Sequence, residues 1–143
     1  MMKVYAFTHP DFKILCCALL PEAVPEGVEY VEFEVENPDD VIFDNGQIRL
    51  KTEAEKLEEE KRKKLTELKN YVAMLLEPTD YVIIKIAEAQ AKEYTDGVEQ
   101  LKQKYVTQLQ QRETIRQWNN QMKQVIQNSQ TIEELRSIKI ELV

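Results

Sequence analysis

Residues 65–94, LTELKNYVAMLLEPTDYVIIKIAEAQAKEY, contain two apolar segments that meet at the tetrapeptide EPTD, residues 77–80. Proline has no backbone N–H and disfavours the α conformation in the residue before it, so we expect the incoming helix to end or kink at Pro78. Thr79 or Asp80 then offers a side-chain oxygen as the N-cap of a second helix. The stretch therefore predicts two helices that are joined at a bend.

The second of these helices has apolar residues around most of its circumference. They are Val82, Ile83, Ile84, Ile86, Ala87, Ala89 and Ala91. Because a helix that is apolar on all sides is usually buried, we expect this one to be covered on more than one side. The β-branched residues of segment 81–86 would also suit a strand. The cap that precedes them and the alanines that follow favour the helix.

Charge is distributed unevenly along the 143 residues, whose formal net charge is −7. Residues 1–60 hold 15 acidic and 5 basic side chains, a net charge of −10, whereas residues 61–143 hold 11 acidic and 14 basic, a net charge of +3. An acidic chain disfavours nonspecific binding to nucleic acid. The opposite signs of the two halves allow head-to-tail self-association.

The apolar runs and the cysteines indicate where the protein resides. The longest apolar run, residues 14–20, is far shorter than the roughly 20 residues that a membrane-spanning helix needs. The first residues also lack the apolar core of a signal peptide. Cys16 and Cys17 are adjacent and rarely form a disulfide with each other, which favours a reducing cytoplasm. We therefore expect no membrane partner.

The first 50 residues have the pattern of a small β-rich domain. Residues 28–35, VEYVEFEV, place apolar and acidic residues so that one face is largely apolar, with Val28, Tyr30, Phe33 and Val35 directed inward. Residues 41–50, VIFDNGQIRL, predict a hairpin, because Asn-Gly is a strong signal for a tight turn between strands. These patterns therefore predict a thin antiparallel sheet of three to four strands within residues 1–50.

Residues 51–143 predict a helical domain with helices at about 52–77, 80–94, 98–128 and 132–137. Capping boxes open the first and last of these helices, at Thr52 and at Thr131. Segment 57–65 has charged i, i+4 pairs but no apolar stripe, which is typical of a solvent-crossing stalk. Residues 139–143 alternate and suit a closing strand. The fold class is therefore α+β: a small N-terminal antiparallel sheet followed by a long-helix hairpin, predominantly α.

Two sets of side chains are candidates for a partner or oligomer interface. The first follows the 3-4-3 spacing of a short coiled coil, and the second lies along the predicted helix 98–128. Trp and Arg are enriched at protein interfaces, although the core of a helical hairpin would account for the tryptophan equally well. The candidates are Leu65, Leu68, Val72, Leu75, Tyr105, Arg112, Arg116, Trp118 and Met122.

No pattern in the sequence predicts catalysis, a metal or a cofactor. The single histidine, His9, lies in a predicted turn without spaced partners, and the aspartates near residue 40 lack the spacing of a calcium loop. Cys16 and Cys17 lie in an apolar run with no basic neighbour that would lower a thiol pKa. We therefore expect a protein that is not an enzyme, and a thiol enzyme is the less favoured hypothesis.

Several segments resemble the tail accessory and tail-fibre assembly proteins of bacteriophages. They are DNGQI (residues 44–48), KTEAEKLEEEKRKKL (51–65), LLEPTDYVIIKIAEAQ (75–90) and YVTQLQQRETIRQWNNQM (105–122). The positions that match are Leu75, Thr79, Asp80, Tyr81, Arg112, Arg116 and Trp118.

This resemblance implies a non-enzymatic protein that acts through helix-mediated contacts. It implies tail or fibre proteins as partners, a homo-oligomer, and a location in the host cytoplasm during assembly or in the virion tail. An alternative with the same layout is a cytoplasmic helical-hairpin adaptor or chaperone for a host protein.

Overall fold

The computed structural model describes residues 1–143, and the chain divides into two compact units, Met1–Lys56 and Leu57–Val143. The strands are β1 (Met2–Thr8), β2 (Leu15–Ala18), β3 (Val31–Val35), β4 (Val41–Asp44) and β5 (Gln47–Leu50). The helices are α1 (Glu53–Leu76), α2 (Asp80–Ala91), α3 (Thr95–Lys104), α4 (Val106–Asn128) and α5 (Ile132–Ser137). The predicted α+β class, a small antiparallel sheet followed by a helical majority, is confirmed.

The first unit contains a three-stranded antiparallel sheet in the order β2-β1-β3 and the separate hairpin β4-β5. Its core joins the two sheets, because Val4 and Ala6 of β1 and Val35 of β3 are buried with Val41 of β4. The expectation that Tyr30 faces inward is wrong, and Val28, which is half-buried, lies outside this core. The strand β3 begins only at Val31, and the Tyr30 ring lies edge-on against Tyr5 at 5.5 Å instead of entering the core.

The predicted hairpin turn and the first capping box are confirmed. Asn45 and Gly46 both have positive φ, 50° and 79°, which a two-residue type I′ turn requires. The N–H of Glu55 donates to Oγ1 of Thr52, and the Glu55 carboxylate accepts from the Thr52 N–H. The Arg49 guanidinium donates to the same carboxylate at 2.7 Å and, with this capping bond, lowers the pKa of Glu55 to about 2. The first turn of α1 therefore belongs to the first unit, six residues beyond the expected boundary.

The second unit has two buried clusters. One joins α1 to α4 and α5 through Leu68, Val72, Ile115, Ile126 and Leu135. The other joins α2 to α3 through Val82, Ile86, Ala89 and Val98, with Tyr105 from the junction of α3 and α4. The predicted single helix 98–128 is therefore wrong, because the helical stretch begins three residues earlier, at Thr95, and forms two helices. It is broken at Tyr105, where the backbone leaves the α region and the ring enters the second cluster.

The expected charge-paired stalk at 57–65 is also wrong, because this part of α1 packs against the first cluster. Leu57 and Leu65 contact that cluster. Between them, the side chains of Lys61 and Lys64 are only 15% and 18% exposed, and Lys61 Nζ donates to the carbonyl of Gln127 at 2.9 Å. Lysine stems thus occupy positions of the apolar stripe while their ammonium groups reach polar partners.

The expected closing strand at 139–143 does not form within the chain. These residues pair with no strand, and the last helix ends at Ser137. The alternation in the sequence nevertheless has a structural counterpart, because Ile138, Ile140 and Leu142 pack against the first cluster. The segment is anchored on one face, and its backbone lacks the partner strand that the sequence led us to expect.

Candidate protein-contact site

The bend between α1 and α2 is held by one side chain from a distant helix. A 3-10 turn, Glu77–Thr79, connects the two helices, so the incoming helix ends near Pro78 as predicted. From α4, Arg112 Nη1 donates to the Leu76 carbonyl at 2.9 Å, to Thr79 Oγ1 at 3.0 Å and to Asp80 Oδ1 at 2.9 Å. The Arg112 side chain is 7% exposed. It therefore links the last carbonyl of α1 to the first side chain of α2.

Because of this link, Thr79 and Asp80 do not act as the N-cap that we expected. No side chain caps α2. The 3-10 turn continues directly into the helix, so the Asp80 N–H already has a partner in the carbonyl of Glu77. The Thr79 hydroxyl donates to the Leu76 carbonyl at 3.1 Å and accepts from Arg112. Both polar side chains therefore form hydrogen bonds within the bend and do not cap α2.

The helix α2 has two apolar faces, and only one of them is covered. Val82, Ile86 and Ala89 lie in the second cluster, with Val82 completely buried. On the opposite side, Ile84 is 58% exposed and Ile83 is 37% exposed. The expectation that this helix is buried on more than one side is therefore wrong.

We define the outer stripe of α2 as the exposed residues Ile83, Ile84, Ala87 and Ala91. Single exposed apolar residues are common on protein surfaces, but a contiguous apolar patch marks an interaction site more often. At 3.6 residues per turn, these four positions lie on one side of the helix, over about two turns.

A lysine-tyrosine cluster lies along another side of the same helix. Lys85 Nζ donates to the hydroxyl of Tyr105 at 3.2 Å, and it lies 5.6 Å and 5.5 Å from the ring centres of Tyr81 and Tyr105. Lys104 Nζ lies 5.2 Å from the Tyr105 ring centre. The hydrogen bond from Lys85 and the charge of Lys104 lower the pKa of the Tyr105 hydroxyl. Such cation–π contacts tie α2 to the junction of α3 and α4.

A groove of about 360 Å³ opens between the end of α1, α4 and the 138–143 segment. Its lining combines apolar side chains with neutral polar ones and includes no charged residue. The lining residues are Leu75, Thr79, Thr107, Gln110, Gln111, Thr114, Ile115 and Leu142. A groove with this lining suits a neutral group.

The fold itself uses most of the residues that the sequence suggested for a partner interface. Leu68, Val72, Tyr105 and Arg112 are buried in the unit. Leu65, Leu75, Trp118 and Met122 are half-buried against the first cluster, and Trp118 lies edge-on to Tyr71 at 5.7 Å. Only Arg116 is exposed. In this conformation the buried four offer no surface to a partner.

The outer stripe of α2 is the surface that sequence reasoning missed. Because its residues are apolar, the sequence pattern predicts that they are buried. The signal that could have found it is the angular spread of the apolar residues, which is wider than one layer of neighbouring helices can cover. Ile83 and Ile84 lie on the uncovered part of that spread.

The remaining polar candidates occupy structural positions. His9 lies in a turn, as predicted, and its Nδ1 accepts from the N–H groups of Asp11 and Phe12. Cys16 and Cys17 are half-buried in β2, and burial raises the pKa of the Cys17 thiol. No group of three or more His, Cys, Asp or Glu side chains is placed to hold a metal ion.

No protein-family model matches the chain, and neither a curated protein nor a solved structure is significantly similar to it. None of the helices has the length and apolar character that crossing a membrane demands.

Proposed function

We propose that the protein is a non-enzymatic tail accessory protein of a phage or prophage, either a virion component or a factor that attaches or assembles fibres. It acts by presenting the outer stripe of α2 to another tail or fibre protein. The single observation that carries this proposal is the exposure of Ile83 and Ile84 beside a fully buried Val82 on the same helix. The resemblance of the sequence to tail accessory proteins supports the choice of partner.

The energetics favour coverage of the outer stripe by a partner. Complete burial of an isoleucine side chain gives about 1.5–3 kcal/mol, so covering two partly exposed isoleucines provides a useful part of a binding energy. Ala87 and Ala91 have small side chains, which let a partner backbone approach closely. The bend fixed by Arg112 and the contacts of Lys85 hold α2 in place, so little conformational entropy is lost on binding.

The first test concerns genes and partners together. We expect the neighbouring genes to encode tail, baseplate or fibre proteins, and we expect one of them to co-elute with this protein after co-expression. Neighbours unrelated to a phage tail would instead favour the adaptor or chaperone of a host protein. A chain that binds none of the neighbouring tail proteins at micromolar concentration would overturn the proposal.

The second test asks whether the outer stripe carries the contact. Ile84→Asp should weaken binding to the tail protein at least tenfold, because the new carboxylate would be desolvated in the interface. Gln121→Asp adds the same charge at an exposed position of α4 and should bind like the wild type. Equal binding by both variants would show that the contact lies elsewhere. Circular dichroism of both variants verifies that each is folded.

A further inference from the structure

Residues 138–143, IKIELV, alternate like a strand and begin with an extended backbone at Ile138, but they have no strand partner. None of the backbone groups of residues 139–143 makes a hydrogen bond to another backbone group. The N–H of Leu142 donates to the hydroxyl of Tyr71 at 3.3 Å. An extended segment with unpaired backbone groups is a template for pairing with another chain.

The side chains of this segment alternate between the unit and the solvent. Ile138, Ile140 and Leu142 are half-buried against the first cluster, whereas Lys139 and Glu141 are exposed. Neither of these two charged side chains forms an ion pair within the chain. The apolar side chains anchor the segment, and Lys139 and Glu141 remain available for ion pairs with another chain.

The two edges of the segment also differ, because only one of them has a hydrogen-bond partner within the chain. In an extended chain, residues two apart direct their backbone N–H and C=O groups to the same edge. The Leu142 N–H points to Tyr71, so the N–H of Ile140 shares that edge. The backbone groups of Lys139 and Glu141 therefore face the opposite edge, where nothing in the chain pairs with them.

We propose that residues 138–143 pair antiparallel with the same segment of a second copy, about a two-fold axis at Ile140. In this register Lys139 lies opposite Glu141 of the second copy, and Glu141 lies opposite Lys139 of the second copy. Both pairs are of the hydrogen-bonded type, which the outward N–H and C=O groups of these two residues require.

Charge complementarity is what identifies the second copy as the occupant. An antiparallel pairing of identical strands is isologous, so each contact occurs twice. The charges of Lys139 and Glu141 are opposite in sign and symmetric about Ile140, and the sequence is therefore complementary to itself in this register and in no other nearby one. Opposite charges directly across an antiparallel pair stabilise it, and like charges destabilise it.

The expected dimer is weak, because so short a pairing buries less surface than the roughly 1,200–2,000 Å² of a stable interface. Sedimentation equilibrium from micromolar to millimolar protein should show the mass of the wild type rising toward that of two chains. In the dimer, the N–H groups of Lys139 and Glu141 should gain protection from hydrogen exchange. A wild type that stays monomeric over the whole range overturns the proposal.

Charge reversal gives the decisive test. Lys139→Glu alone places two glutamate pairs across the axis, and Glu141→Lys alone places two lysine pairs, so each variant should remain monomeric. An equimolar mixture of the two variants restores both opposite-charge pairs and should dimerise. Lys123→Glu, an exposed position of α4, makes the same charge change as Lys139→Glu and should dimerise like the wild type.

Two further outcomes of this test would overturn the proposal. If the single variants dimerise like the wild type, the dimer uses another surface and the proposal fails. It also fails if the single variants are monomeric and their mixture stays monomeric. This inference does not depend on the proposed tail function, because Ile84→Asp on the outer stripe should weaken binding to a tail protein and leave self-association unchanged.

Discussion

The segments on either side of Pro78 both carry apolar residues at helical spacing, yet the structure uses them differently. The apolar side chains Leu65, Leu68 and Val72 of α1 are covered by the rest of the unit, and lysine stems extend the stripe toward the N-terminus of the helix. In α2 the apolar residues form two faces, of which one is covered and one is exposed. The arrangement of apolar residues, more than their number, therefore determines how much of a helix the chain can bury.

The largest expected effect tests the contrast between the buried and the exposed face of α2. Val82→Asp should lower the free energy of unfolding by about 4 kcal/mol or abolish folding, because it places a carboxylate at a completely buried position. Ile84→Asp, two residues away, should cost about 1 kcal/mol or less, mainly through the lower helix propensity of aspartate. Urea denaturation measures both variants. Similar losses would mean that the outer stripe is covered within the chain.

The next effect tests the corresponding contrast within α1. Leu68→Ala should cost about 3 kcal/mol, since it opens a cavity in the first cluster around a fully buried side chain. Met74→Ala, at a position that is 56% exposed, is the matched control and should cost less than about 0.5 kcal/mol. Denaturant midpoints provide the measurement. Equal costs would indicate that α1 packs with a different face.

Loss of the link between α1 and α2 should lower the free energy of unfolding by somewhat less than the loss of Leu68. Arg112→Met retains most of the buried volume but removes the donor that joins the Leu76 carbonyl to the side chains of Thr79 and Asp80, so we expect a loss of about 2 kcal/mol. All three acceptors bind one nitrogen, Nη1, and an ammonium group has three protons, so Arg112→Lys should recover part of the loss. Thermal and urea unfolding compare the variants. If Arg112→Lys is no more stable than Arg112→Met, the hydrogen bonds from this position do not stabilise the bend.

A smaller effect tests the role of lysine stems in the stripe of α1. Lys61→Ala should cost about 0.5–1 kcal/mol, because it removes a largely buried stem and the hydrogen bond to the Gln127 carbonyl. Lys63→Ala, on the exposed side, should be nearly neutral, since exposed ion pairs contribute little. If both variants keep full stability in urea, segment 57–65 behaves as the solvent-exposed stalk that the sequence suggested.

The smallest effect concerns pH and the first turn of α1. The pKa of Glu55 is about 2 in the folded chain against an ordinary 4.5, because Arg49 and the Thr52 N–H stabilise the carboxylate. Its contribution is therefore complete above about pH 4.5 and is lost as the pH falls toward 2. Glu55→Gln should remove this part of the pH dependence. An unchanged acid unfolding profile in the variant would contradict the assignment.

The sequence was sufficient wherever the determining contacts are local. The Asn45-Gly46 turn and the Thr52 capping box depend on residues within a few positions of one another, and both were predicted correctly. The end of a helix near Pro78 follows from the covalent geometry of proline. The last helix, Ile132–Ser137, has its predicted bounds for the same reason, because Thr131 caps it through the N–H of Glu134.

What could not be predicted depends on contacts between distant residues. Arg112 lies 32 positions from Asp80, and nothing in the spacing shows that its side chain turns inward to the bend. The break at Tyr105 occurs because its ring packs in the second cluster, and the sequence around it is compatible with a continuous helix. Exposure of Ile84 depends on how many neighbours α2 has, which is a property of the whole unit.

The single nitrogen that holds the bend also has a consequence for the order of folding. During synthesis, residues 65–94 leave the ribosome before Arg112 does, so the helices on either side of Pro78 must exist for a time without their clamp. The angle between them is then set only when α4 arrives and docks. An isolated peptide of residues 65–94 should therefore sample many angles, and the nascent chain should acquire its final shape late.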